Sequence, residues 1–224
     1  MLINGKLNTA TLIELKPNAD MSEELTQFLT NGADLVKANE PDTKLWFALK
    51  KDDELFAIID LFLDEKARQA HFDGDAAKAL RDNADKLIID GWDNGVLKNV
   101  NHFDVLASCI TDTPHLATEA TCIILVANDG CEDELADLLT NAAELIDQNE
   151  PNTLFWSALK LNKQIYAIYD IFKDDAAREE HFNAQAAQAL KEKADDLIHG
   201  GWENGVLPNI YNYKILAISE NFNN

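Results

Sequence analysis

The sequence predicts an α+β protein made of two ferredoxin-like (split βαβ) domains packed sheet to sheet as an intramolecular pseudo-dimer. Two observations carry this expectation: the chain repeats itself at a fixed shift, and each copy reads as β-α-β-β-α-(α)-β. "NEPDTKLWFALK" (Asn39 to Lys50) falls on "NEPNTLFWSALK" (Asn149 to Lys160), and "GWDNGVLKN" (Gly91 to Asn99) on "GWENGVLPN" (Gly201 to Asn209). The shift is 181 − 71 = 110 residues, set by His71 and His181, and needs no gap. About 45 of the 100 positions from 11 to 110 are identical to their partners, too many for chance. Two copies point to a duplicated domain, because solenoids need at least three units. The domains are then 1–110 and 111–224, joined through "SCITDTPHLATEA" (Ser108 to Ala120), whose Asp, Thr and Pro suit a linker.

Thr9 to Lys16 alternates apolar and polar residues, as a strand does. The next segment sets Leu25, Phe28, Leu29, Leu35 and Val36 on one helical face; Asp20 or Ser22 is placed to cap it and Pro41 bars its continuation. The second copy matches with Leu135, Leu138, Leu139, Leu145 and Ile146. "TKLWFALK" and "ELFAIIDLF" read as strands joined by the polar turn "KDD". Asp64 suits the cap of a short helix through His71, and a longer helix then aligns Ala77, Leu80, Ala84, Leu87 and Ile88. A loop, "DGWDNG", precedes a final strand from about Val100 to Ser108. A four-stranded sheet with helices on one face leaves its other face bare, and the second copy is the expected cover.

Charge narrows the partners. The chain has 224 residues, 46 % of them hydrophobic, and a formal net charge of −21 from 40 acidic and 19 basic residues. Such a surface repels nucleic-acid backbones and anionic membranes, so neither is an expected partner. No apolar run approaches the roughly 20 residues needed to span a bilayer, and the start lacks a signal-peptide pattern. Three cysteines without CxxC spacing argue against a disulfide framework or zinc site and suit a reducing, cytoplasmic setting.

Of the five histidines, only His71 and His181 match across the shift. Each stands four residues after a small apolar residue, Ala67 or Ala177, so it faces inward. It is either a hydrogen-bonded helix-end histidine or a base at a ligand cavity. Asp60 and Asp170 lie in apolar strands, on the face of Phe56, Ile58 and Phe62 in the first copy; a carboxylate there needs a partner. That partner is a neighbouring strand or Arg68 (Arg178), or else the carboxylate orients His71 or a substrate. Trp46 and Trp156, with Trp92 and Trp202 in the Gly-Trp loops, are core residues or walls for a flat aromatic ligand. No Walker loop, GxGxxG, GxSxG or HExxH motif is present.

The segment from Asn39 to Leu80 and its second copy resemble the antibiotic biosynthesis monooxygenase domain, a family with the dimeric α+β barrel fold. The resemblance covers both halves. It implies a cofactor-independent monooxygenase that oxidises a phenol or quinol with dioxygen, without metal or flavin. It implies catalytic roles for His71, His181, Asp60 and Asp170. Trp46, Trp156, Phe62, Phe172, Trp92, Trp202 and Tyr169 would then contact a small aromatic substrate. Two departures stand out: the second family histidine is replaced by Ala76 and Ala186, and the haem-degrading branch's tryptophan and histidine positions hold Phe62 or Phe172 and Leu80 or Leu190. Haem is therefore disfavoured and no cofactor is expected. The alternative is a non-catalytic binding or structural module of the same fold, and a further homodimer is compatible with either reading. Because Tyr166, Tyr169 and Tyr213 stand where the first copy has Phe56, Ile59 and Phe103, the second pocket is the one expected to be active if only one is.

Overall fold

Strand-like alternation and helical periodicity generate the same elements in each copy. The computed structural model describes residues 7–222. The first copy contains β1 (Thr9–Leu15), α1 (Ser22–Asn39), β2 (Thr43–Lys50), β3 (Phe56–Phe62), α2 (Glu65–Phe72), α3 (Asp75–Leu87) and β4 (Val100–Ile110). The second contains β5 (Glu119–Val126), α4 (Glu132–Asn149), β6 (Thr153–Lys160), β7 (Ile165–Phe172), α5 (Asp175–Phe182), α6 (Gln185–Leu197) and β8 (Ile210–Glu220).

The chain forms two units, residues 7–103 with 213–222, and residues 104–212. In the first unit the strands run β1-β3-β2-β8, each pair antiparallel, with Ala48 opposite both Ile58 and Ala217. In the second they run β5-β7-β6-β4, with Ala158 opposite Ile168 and Ala107. Each sheet thus draws its last strand from the end of the other sequence copy. These last strands, β4 and β8, have 11 residues where β1 has 7 and β2 has 8. The compact units therefore differ from the sequence halves at this strand.

Each unit buries one cluster between its helices and its sheet. In the first, Leu25, Leu29 and Val36 of α1 meet Leu80, Ala84 and Leu87 of α3 over Trp46, Phe56 and Ile58. The second repeats this with Leu135, Leu139, Ile146, Leu190, Ala194 and Leu197 over Trp156, Tyr166 and Ile168. Among the described residues, no helix is long and apolar enough to cross a membrane.

Two local expectations are corrected. Neither Asp20 nor Ser22 caps α1. Asp20 adopts φ +62°, the N-cap is Met21 with no side-chain bond, and the Ser22 hydroxyl donates instead to Asp53 Oδ1 at 2.9 Å. Glu23 and Glu24 in the first turn supply the negative charge that the helix N-terminus favours. The Gly-Trp segments are not loops but π-helical turns, Gly91–Val96 and Gly201–Val206. Each is entered through two residues of positive φ: Asp90 and Gly91 (+64° and +63°), and Gly200 and Gly201 (+83° and +64°). These turns carry Trp92 and Trp202.

The short helices start as the sequence predicts. Asp64 Oδ1 accepts from the Ala67 N–H at 2.8 Å, and Asp174 Oδ1 from the Ala177 N–H at 2.9 Å. Asp64→Ala should cost about 1 kcal/mol of stability. Urea unfolding reads this as a lower midpoint at constant slope; an unchanged midpoint would show that the cap contributes nothing.

Candidate functional site

The two matched histidines end their short helices and turn into the protein, each at most 7 % exposed. Each is held between two buried carboxylates. His71 Nδ1 pairs with Glu40 Oε2, and its Nε2 lies 3.2 Å from Asp60 Oδ2. In the second unit His181 Nδ1 is 2.6 Å from Glu150 Oε2 and Nε2 is 3.3 Å from Asp170 Oδ2. The Asp contacts are close ion pairs without the alignment of a hydrogen bond, and neither aspartate has a hydrogen-bond partner for either carboxylate oxygen. The expected arginine partners are engaged elsewhere. Arg68 pairs with Glu65, and Arg178 reaches Glu119 Oε2 at 3.1 Å.

Electrostatics follow from this placement. Burial alone drives the His71 pKa down, but Asp60 and then Glu40 outweigh it and hold it at about 10. The same balance with Asp170 and Glu150 holds His181 at about 9. Burial pushes the Asp170 carboxyl up, against the pull of His181. At neutral pH the imidazole of each cluster is therefore protonated.

Glu40 and Glu150 were missed as site residues from sequence, although they lie inside the quoted repeat motif. Each follows the last residue of a long helix and precedes the proline that stops it. Glu40 Oε1 accepts from the Ala76 N–H at 3.1 Å, at the start of α3, where a negative charge is favoured. Thr43 and Thr153 donate to the glutamates at 3.4 and 3.1 Å. Asn221, at the end of β8 and 1 % exposed, donates from Nδ2 to the backbone carbonyls of Glu40 and Thr43, both at 3.1 Å. The available signal was a glutamate matched across the repeat at a helix stop.

Beside each cluster lies an apolar cavity between the helices and the sheet. The first unit's cavity, about 190 Å³, is walled by Trp46, Trp92, Phe28, Phe72, Ile58 and Leu80, with His71 in its lining. The second unit's, about 80 Å³, is walled by Trp156, Trp202, Leu138, Phe182, Ile168 and Leu190, with His181 in its lining. The four tryptophans thus border the two cavities. Asp60 and Asp170 do not line the cavities; they contact the histidines that do. Phe62 and Phe172 also lie outside the linings, their rings tilted against the imidazoles at centroid distances of 5.6 and 5.3 Å. Tyr169 is fully buried and outside the lining, on the strand face opposite Ile168 and Asp170. The extra phenols therefore do not enlarge or line the second cavity, and the roomier cavity belongs to the first unit. Among the described residues, no group of three or more His, Cys, Asp or Glu is placed to hold a metal ion.

The clusters link stability to pH. A histidine whose folded pKa exceeds its unfolded value contributes stability that is full below about 6.5 and lost as pH rises toward the folded pKa. For His71 the loss extends to about 10 and for His181 to about 9. The urea midpoint should therefore fall steadily between pH 7 and pH 10. Glu40→Gln should weaken that fall, and a flat midpoint in the wild type would contradict the charge assignment. His71→Ala strands two buried carboxylates and should cost about 3–5 kcal/mol, against the smaller loss expected of an unpaired core histidine.

No protein-family model matches the chain, and no curated protein matches it. Solved structures do. A provisionally assigned monooxygenase from Fusobacterium nucleatum subsp. nucleatum superposes with a TM-score of 0.77 at 15 % identity, covering 96 % of this chain and 95 % of that one. A second from Lactobacillus acidophilus gives 0.74 at 12 % identity, covering 96 % and 97 %. A ferredoxin-fold protein related to antibiotic biosynthesis monooxygenases, from Listeria monocytogenes, gives 0.52 at 9 % identity, covering 93 % and 95 %. At these identities the likeness carries the fold: the chain has the ferredoxin-like α+β fold of the antibiotic biosynthesis monooxygenase-related proteins.

Proposed function

We propose that the first unit's cavity binds a small, flat phenol or quinol and that the chain oxidises it with dioxygen, without metal, flavin or haem. The observation that carries this reading is an apolar cavity of about 190 Å³ walled by two indoles, with a doubly paired imidazolium in its lining. The monooxygenase-like fold supports it. In the overall reaction the substrate loses two hydrogens, one oxygen atom enters it, and the other leaves as water. Electron donation to dioxygen requires the phenol to ionise. The phenolic proton would pass to the His71–Asp60 pair, whose nearest atoms lie 3.2 Å apart, and the positive charge of His71 in the lining would hold the phenolate. Glu40 holds the other ring nitrogen and fixes the orientation of the imidazole. The indoles would sandwich the ring and keep water out.

A second reading, binding without turnover, is favoured by one specific feature: both ring nitrogens of each histidine already face carboxylates. Oxygen-electrode measurements with hydroquinones and naphthols separate the two. Turnover should consume one dioxygen per product, and Asp60→Asn should lower the rate by about 100-fold with ligand affinity retained. An undiminished rate in that variant contradicts the proton transfer. Ligand-induced thermal stabilisation with no oxygen uptake would establish the binding reading instead.

A further inference from the structure

The two cavities differ in volume, and the matched positions of their surroundings differ at Gly32 and Ala142, Phe28 and Leu138, and Val100 and Ile210. Gly32 lies inside the 18-residue helix α1. A glycine in a helix interior costs about 1 kcal/mol relative to alanine, so its presence calls for a packing or functional reason. A Cβ built at Gly32 would lie 3.1 Å from Cη2 of the Trp46 indole, tight against the cavity wall. The repeat supplies the control. At the matched position the second unit carries Ala142, over the matched indole of Trp156, in a helix of the same length. Alanine is thus compatible with the fold, and glycine is not needed to build the helix. Ile210, which lines the second cavity, is also one methylene larger than Val100 at the matched position. The cavities measure about 190 and about 80 Å³. An apolar cavity of about 150 Å³ holds a benzene ring, so a single ring fits the first cavity and not the second.

We infer that Gly32 is a specificity-determining residue: its missing methyl opens the first unit's cavity to one phenol-sized ring, while Ala142 with Ile210 closes the second. This rests on the reading of the first cavity as a ligand site and adds which unit is occupied and by what size of ligand.

The chain's four tryptophans, two in each cavity wall, provide site-resolved reporters. Their indole N–H signals can be followed by NMR while phenol is titrated into the intact chain. Phenol should shift the Trp46 and Trp92 signals and leave those of Trp156 and Trp202 in place. Gly32→Ala should weaken that binding at least about fivefold, the low end of what overfilling a packed site costs, while its helix propensity keeps the chain folded. The double variant Ala142→Gly, Ile210→Val should bring the Trp156 and Trp202 signals into the titration. Equal shifts at all four tryptophans in the wild type, or unchanged affinity in Gly32→Ala, overturn the inference but leave the ligand-site reading standing. Wild-type signals that do not move with phenol overturn both.

Discussion

An imidazolium held between two buried carboxylates is the constraint on which the rest of each unit depends. It joins three elements that are distant in sequence. Glu40 comes from the end of α1, Asp60 from the middle of β3, and His71 from the end of α2. Burying any of these charges alone would be costly, and burying them together is tolerable only in one arrangement. The cluster therefore contributes less to net stability than to uniqueness: it fixes where α1 stops, how α2 returns to the sheet, and where α3 begins. The cavity lies beside it, between the helices and the sheet, bordered by two indoles and by aliphatic side chains.

Much of this was legible in the sequence, for reasons that can be named. Element types followed from periodicity because both copies carry the same pattern, so each reading was made twice. His71 stood out because it was one of few histidines and had a matched partner. Asp60 stood out because a carboxylate in an apolar strand demands an explanation. The Asp64 cap was legible because N-capping is local, whereas the α1 cap was misplaced because Ser22 is drawn to Asp53, a partner 31 residues away. Glu40 escaped notice for a related reason: glutamate at a helix end reads as solvated surface, and only the tertiary structure shows it buried beneath Gly74 and Ala76. The exchange of last strands was equally hidden, since the sequence of β8 does not say which of two sheets it joins.

The duplication left the copies free to diverge where the fold did not require identity. The charged cluster is the same in both. The cavity wall is not: Gly32 stands against Ala142 and Phe28 against Leu138. The tyrosines gained by the second copy fall elsewhere. Tyr166 shares the helix-covered face with Ile168, but its hydroxyl donates to the Glu132 carbonyl at 2.9 Å and it does not line the cavity. Tyr169 lies on the opposite face of the same strand, because alternate residues of a strand face opposite ways.

The central claim concerns charge, and nitrogen NMR of the imidazole rings tests it directly. With 15N-labelled histidine, the account predicts that both ring nitrogens of His71 and His181 remain protonated at pH 7.5 and begin to lose that signature only toward about 9 to 10. Rings that titrate near the ordinary value of about 6.5, or that show one bare nitrogen at pH 7.5, would contradict the imidazolium and with it the account of how each unit is held together.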